Sequence, residues 1–206
     1  MNTLEAIEKR RAVKHYDPEH VFTRVEVDTI LSSAMLSPTS YNIQHWRFVH
    51  VGDPAMRQQI REAAWDQAQV TDASMLLVLC ADLKAWERQP ERYWRDAPKE
   101  TRDMLVSMIT DFYGGKEQLQ RDEAMRSVGI AAQTIMLTAK DMGYDSCPMI
   151  GFDPDAVAKI INLPENHVIG MMISVGRAAT EAQERGGQLP RAEVVIQNRF
   201  ESAMPR

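Results

Sequence analysis

The run Met75-Leu76-Leu77-Val78-Leu79-Cys80-Ala81 constrains the fold more than any other stretch of this chain. An unbroken apolar run of this length is far too short for a membrane span, which needs about 20 residues. It lacks the alternation of a half-exposed strand, and it suits a strand covered on both faces. Such a strand needs a layer of structure on each side, and the rest of the chain supplies candidates. Trp46 to Val51 alternates bulky and β-branched residues in the manner of a strand, Val168 to Val175 is a second apolar strand ending at Gly176, and Ala192 to Ile196 is expected to add a last one.

Helices fall between these strands. Asn2 and Glu5 can cap a first short helix with Leu4 and Ile7 on its apolar side, and Thr23 with Glu26 forms a capping box. After that box Val27, Ile30, Leu31, Ala34 and Met35 recur at helical spacing until Pro38 forces a stop near Ser37. Asp53-Pro54 opens a helix through about Trp65, and Asp153-Pro154 opens another with Val157, Ile160 and Ile161 inward. Met125, Val128, Ala132, Ile135, Met136 and Ala139 share one stripe that ends before Gly143. From Lys84 to about Lys116 the text turns charged and aromatic around Pro90 and Pro98, which predicts a helical excursion over the core that could act as a lid. Strands interleaved with helices, with no repeat or low-complexity linker, give an α+β or α/β layer architecture in one folding unit over 1–206.

Composition narrows function by exclusion. A net charge of −5, from 24 Lys plus Arg against 29 Asp plus Glu, offers no broad basic field for nucleic acid. The N-terminus has no basic stretch followed by an apolar run, so a cytoplasmic protein without membrane association is expected. Cys80 and Cys147 are too few and too far apart for a disulfide framework or a zinc site, and are read as reduced thiols. The five histidines lack metal-ligand spacing, and Cys147 has no partner suggesting a nucleophile, so neither a metal nor a catalytic side chain is expected.

Two segments remain that could carry chemistry. Arg10-Arg11-Ala12-Val13-Lys14 puts three cations at the end of a short helix, either as a solvated basic face or as a phosphate clamp in which arginine forks grip oxygen and Lys14 acts as a point charge. Ser37-Pro38-Thr39-Ser40-Tyr41-Asn42-Ile43-Gln44-His45-Trp46 is dense in hydroxyls and amides, which by composition alone describes an ordinary turn.

Taken in order along the chain, these segments resemble the FMN-dependent nitroreductase family, with its N-terminal Arg-Arg-Ser type motif and Pro-Ser-Ser-x-Asn-x-Gln-Pro-Trp type loop. The resemblance continues through Asp72-Ala73-Ser74, through Ser146-Cys147-Pro148-Met149-Ile150-Gly151-Phe152-Asp153 as a Pro-x-x-Gly-Phe-Asp loop, and through Ser174-Val175-Gly176. It implies an α+β fold, a mostly antiparallel central sheet surrounded by helices, and an intertwined homodimer with two flavins at its interface. It also implies that Arg10, Arg11, Ala12 and Lys14 meet FMN from one subunit while Pro38, Thr39, Ser40, Asn42 and Gln44 reach it from the other. Met149 would be a further cofactor-binding residue, and Ile150 and Gly151 would present backbone N–H groups to the ring. Gln69 stands where some members have a second Lys, and Gln188, Arg191 or Arg185 would replace the family's C-terminal phosphate-binding Arg. Ala12 replaces a Ser, His45 a Pro, and Ile150 a Glu found in some members.

The activity so implied is transfer of electrons from NADH or NADPH through FMN to a small acceptor such as a nitroaromatic or quinone. Trp86, Trp94, Phe112 or Tyr113 of the excursion would cover the flavin. Alternatives on the same fold are reductive dehalogenation, enal or aldehyde reduction, and a flavin-binding sensor without turnover; a helical interaction protein is the alternative outside flavin chemistry.

Overall fold

The computed structural model describes residues 1–200. The apolar run forms strand β2 (Met75–Asp82), and all of its residues are buried. It sits inside a four-stranded antiparallel sheet of order β1-β2-β4-β3, completed by β1 (Trp46–His50), β3 (Asp145–Met149) and β4 (His167–Gly176). Burial on both faces follows from what lies above and below. Met75, Leu77, Leu79 and Ala81 join Ile173 and Val175 against helices α2 (Arg24–Ala34) and α6 (Glu117–Asp141). Leu76, Val78 and Cys80 join Met172 on the opposite face, against α3 (Pro54–Ala63) and α7 (Pro154–Ile160).

Helix ends are set by the residues expected to set them. Asn2 with Glu5 caps α1 (Thr3–Lys9), Thr23 with Glu26 caps α2, and both capping boxes are complete. Asp53 and Asp153 cap α3 and α7, each followed by a first-turn proline. Gly143, at φ +86°, follows α6 in the left-handed geometry that releases the chain toward β3. The excursion contains a 3-10 turn at Pro90–Trp94 and α5 (Lys99–Tyr113), and has its own small core of Ala85, Trp86, Tyr93, Ile109 and Tyr113 closed by Ile43.

Where β2 and β4 pair, the register slips: Leu79 faces Met171 but Cys80 faces Ile169, leaving Gly170 as the extra residue of a bulge. A Cβ at Gly170 would lie 2.6 Å from Val128 Cγ1, so at the bulge α6 packs directly against the strand and leaves no room for a side chain.

Several expectations need correction. Ala192 to Ile196 adds no strand; Arg191–Val194 forms a short helix, α8, after Pro190, and Val194 and Val195 are exposed. Among the described residues no strand pairs with that segment, and the Val195 N–H closes a turn onto the Arg191 carbonyl instead. Asp145–Met149, read as part of a loop, is a strand despite Pro148 because it lies at the sheet edge, where a missing donor is tolerated. Leu4, Ile7 and Met35, placed on inward faces, are all exposed, and only Ala6 of α1 is buried. The helix after Asp53 stops at Ala63 because Trp65 and Asp66 take left-handed backbone angles. No helix among the described residues is long and apolar enough to cross a membrane.

Candidate functional site

The cationic segment begins where α1 ends. Beyond Arg10 the chain is extended, Ala12 bridges in parallel to Ser146 at the β3 edge, and the Val13 N–H donates to the Ser146 carbonyl at 3.1 Å. Extended geometry alternates side chains from Ala12 to Lys14, so Val13 enters the core while Ala12 and Lys14 face outward; the alternation breaks at exposed His15, and Tyr16 is buried again. Ala12 and Lys14 line a cavity of about 300 Å³ whose opposite wall runs through Thr180, Glu181 and Gln183.

Arg185 returns from the far end of the chain and donates from Nη2 to the carbonyls of Ile7, Glu8 and Arg10 at 3.0, 3.3 and 3.2 Å. Those carbonyls lie at the end of α1, where helical partners run out, and those of Glu8 and Arg10 also accept from Arg11 Nη1, so the contact ties the C-terminal segment to the N-terminal one. Among the described residues none of Arg10, Arg11, Lys14 and Arg185 forms an ion pair with a carboxylate. The result is a concentration of positive charge with no internal counterion. Burial lowers the pKa of Arg10, and the neighbouring charges of Arg185 and Arg11 lower it further. Cys147, behind this segment, is buried; burial raises its pKa, and Lys14 and Arg10 oppose that rise.

The end of β3 forms the next part. Met149 is buried in the core, but the Ile150 side chain is 81% exposed, and neither the Ile150 nor the Gly151 N–H has an acceptor among the described residues. Gln67 Nε2 donates to the Gly151 carbonyl at 2.7 Å, and Gln69 Nε2 donates to Gln67 Oε1 at 2.9 Å. A Cβ at Gly151 would lie 3.0 Å from the Trp65 ring, which explains glycine there. Gln69 is therefore a buried support for the turn. Gln67 and Trp65 were not identified from the sequence, where 84 positions separate Gln67 from Gly151 and no local pattern joins them.

The polar loop is built against the excursion. Tyr41, Asn42 and Gln44 all have positive φ, at 49°, 56° and 54°, an arrangement that persists only when surrounding contacts determine it. Those contacts are present: Asn42 Nδ2 donates to the Tyr93 carbonyl at 2.9 Å, Trp94 Nε1 to the Tyr41 carbonyl at 3.0 Å, and Tyr113 Oη to Ser40 Oγ at 2.7 Å. Thr39 Oγ1 accepts from the Gln44 N–H at 2.9 Å, and Ile43 plugs the excursion's core. Pro38 is exposed and Thr39 and Ser40 are half-buried. Trp86 and Tyr113 are buried, so of the four aromatics expected to cover a ligand only Trp94 and Phe112 present surface.

Among the described residues no hydrogen bond or ion pair joins residues 10–14 to residues 38–44. The cationic segment and the polar loop are thus built separately, each against its own surroundings. Gln188 and Arg191 are exposed and make no side-chain hydrogen bond to the described residues, whereas Arg185 reaches the cationic segment.

Comparison with known proteins is consistent with this geometry. A family model described as "Nitroreductase family" matches residues 7–177, which include the cationic segment, the polar loop and the whole sheet. The chain belongs to the nitroreductase family. Among its relatives are Protein DrgA of Synechocystis, 53% identical over 182 residues covering 88% of this chain and 87% of that one, and a protein of Thermus thermophilus named NADH dehydrogenase, 33% identical over 91% of this chain and 92% of the other. A solved structure of an Exiguobacterium sibiricum protein in complex with FMN superposes with a TM-score of 0.88 at 27% identity, covering 95% of this chain and 97% of that one.

As in the family's flavin sites, the residues present suit a phosphate-bearing cofactor. The fit rests on the uncompensated cations at Arg10, Arg11, Lys14 and Arg185, which match an anion, and on the unpaired N–H groups at Ile150 and Gly151, which match ring acceptors. His45, which replaces the family's proline, is 1% exposed, with Nδ1 3.2 Å from Ser127 Oγ and Nε2 without a partner. Burial lowers its pKa to about 4, so at neutral pH it is an uncharged packing residue.

Proposed function

We propose that the protein is an FMN-dependent oxidoreductase, working as a homodimer, that takes electrons from a reduced nicotinamide and passes them to a small acceptor such as a nitroaromatic or quinone. The observation that carries this reading is the cluster of Arg10, Arg11, Lys14 and Arg185 with no carboxylate partner, beside a turn whose Ile150 and Gly151 N–H groups lack acceptors. Bound FMN would supply the redox chemistry, accepting hydride from the nicotinamide and delivering electrons to the acceptor.

The chain's own groups do the rest. Arg10, Arg11 and Arg185 hold the phosphate and ribityl end, Lys14 places positive charge at the pyrimidine edge, and the Ile150 and Gly151 N–H groups donate where negative charge develops on reduction. Pro38, Thr39, Ser40, Asn42 and Gln44 complete the site from the other subunit. This use of two chains is supported by the separation of the half-sites and by exposed apolar side chains on the helices, among them Leu4, Ile7, Met104, Met108 and Ile130. No side chain is required as a proton donor, consistent with His45 being uncharged and Cys147 buried.

The test is spectroscopic. The purified protein is expected to hold flavin absorbance that bleaches on anaerobic addition of NADH or NADPH. Lys14→Ala and Arg185→Ala should each lose flavin about tenfold more readily, the loss expected for one charge-assisted contact, while Arg191→Ala should not. A protein that stays colourless after incubation with FMN would overturn the reading.

A further inference from the structure

A second concave feature lies beside the polar loop and outside the cationic segment. It is a cleft of about 490 Å³ between the Asn42 to Arg47 stretch and the 3-10 turn of the excursion, within the range of ligand-sized pockets. Its chemistry is one-sided. Arg92 and Arg95 stand on one wall, Gln44 and Arg47 on the other, and the only carboxylate lining it is Asp96, an exposed partner of Arg95 at 3.7 Å.

The arginines differ in how far they are committed. Arg47 is fully employed, donating from Nη1 to the Gln44 and Trp46 carbonyls at 2.8 and 2.9 Å and from Nη2 to buried Asp82 at 3.2 Å, so it fixes the loop wall. Arg92 is held in place without being neutralised. Its guanidinium lies over the Tyr93 ring at 4.8 Å and donates to Tyr93 Oη at 2.7 Å, and Tyr93 Oη donates onward to the Ala85 carbonyl at 2.8 Å. Among the described residues Arg92 has no carboxylate partner. A pre-oriented fork with unused donors suits phosphate. Trp46 adds a second sign: it lines the same cleft, is 6% exposed, and its Nε1 is a buried donor with no acceptor. Donors outnumber acceptors around the whole cleft.

We propose that this cleft receives the phosphate groups of the reduced nicotinamide dinucleotide, with Arg92 and Arg95 as the residues that recognise them. The proposal rests on the oxidoreductase reading above, because the wall formed by Asn42 and Gln44 belongs to the loop assigned there to the flavin. A ligand seated in the cleft therefore extends along that loop toward the flavin. Two positions on the dinucleotide offer the same chemistry: the pyrophosphate common to NADH and NADPH, and the 2′-phosphate present only in NADPH. Neutral nitroaromatics and quinones have no such group and gain nothing from the cleft.

The experiment compares wild type with Arg92→Gln, Arg95→Gln and the double variant. All are exposed positions, and flavin absorbance of each variant reports whether fold and flavin site are intact. Calorimetric titration with 2′,5′-ADP and with ADP reads the cleft without turnover, and KM for NADPH and NADH is then measured with a neutral quinone as acceptor. Weakening of 2′,5′-ADP with a rise of about tenfold in KM for NADPH alone supports the proposal and assigns the 2′-phosphate. A similar rise for both donors, with weaker ADP binding, supports it and assigns the pyrophosphate. Unchanged nucleotide affinity and unchanged KM for both donors in the flavin-loaded double variant overturns it, as does an effect confined to the KM of an anionic acceptor such as nitrobenzoate. Loss of the oxidoreductase reading has a different signature, because it leaves wild type itself without flavin.

Discussion

A single buried ring carries much of the molecule's expected response to acid. His45 is uncharged because its surroundings exclude water; the Asp82 carboxylate raises its pKa by less than burial lowers it, and Arg47 adds to the lowering. In the unfolded chain the same imidazole titrates near 6.5, so between pH 6.5 and about 4 the unfolded state binds the extra proton and stability falls as pH falls. The interval corresponds to up to about 3 kcal/mol, reached below pH 4. Denaturant titrations at pH 7.5 and pH 4.5 should show most of this difference, and His45→Gln should reduce it; an equal slope in the variant would assign the effect to other groups. His50 and His167, both lowered mainly by burial, contribute in the same direction. The sequence marked His45 only as a departure from the family loop. Its burial depends on Ser127 and Tyr113, residues far along the chain, and could not be read locally.

Secondary elements were most legible where their physics is local. Capping boxes at Asn2 and Thr23 and the Asp-Pro pairs at 53 and 153 determine helix starts through neighbours three residues away, so those starts agree with the structure. Met75 to Ala81 was legible for a different reason, since a strand buried on both faces needs no periodicity. Elements that depend on distant partners were not: β3 is a strand because β4 pairs with it, and Val194 lies in a helical turn, with no strand among the described residues to pair with it. The Gly170 bulge belongs to the same class, a feature visible only once α6 lies on the sheet. Gly170→Ala would drive a methyl group into Val128, and either the helix shifts or the strand loses register. Destabilisation of about 1–3 kcal/mol is expected from this overpacking, measured as a lower denaturation midpoint with unchanged slope. Val128→Ala in the same background should recover part of it, and a variant as stable as wild type would show that α6 is not fixed there.

At the scale of the molecule, the outward faces matter as much as the cores. Met104, Met108 and Phe112 recur every four residues along α5 and are all exposed, an apolar stripe that a second chain would cover. Met108→Asp should shift sedimentation from dimer to monomer and lose flavin with it; a flavin-loaded monomer would contradict the two-chain site. The two segments proposed to form the site could be singled out in the sequence because each is a contiguous run of residues, at 10–14 and 38–44. Their assignment to different subunits came from family resemblance, since no property of either run says which chain completes it. Arg185 illustrates the opposite case: the resemblance named it only as one of three candidates with Gln188 and Arg191, and that it is the one that reaches the cationic segment follows from where the chain returns. Its position beside Arg10 and Arg11 has a consequence for the life of the polypeptide. Like charges held together without a counterion oppose closure of the two chain ends, and any anion that settles among them relieves the repulsion and favours the folded form by mass action. In a growing cell the flavin supply would then regulate abundance as well as activity, with chains made in excess of cofactor opening more often and reaching proteases first.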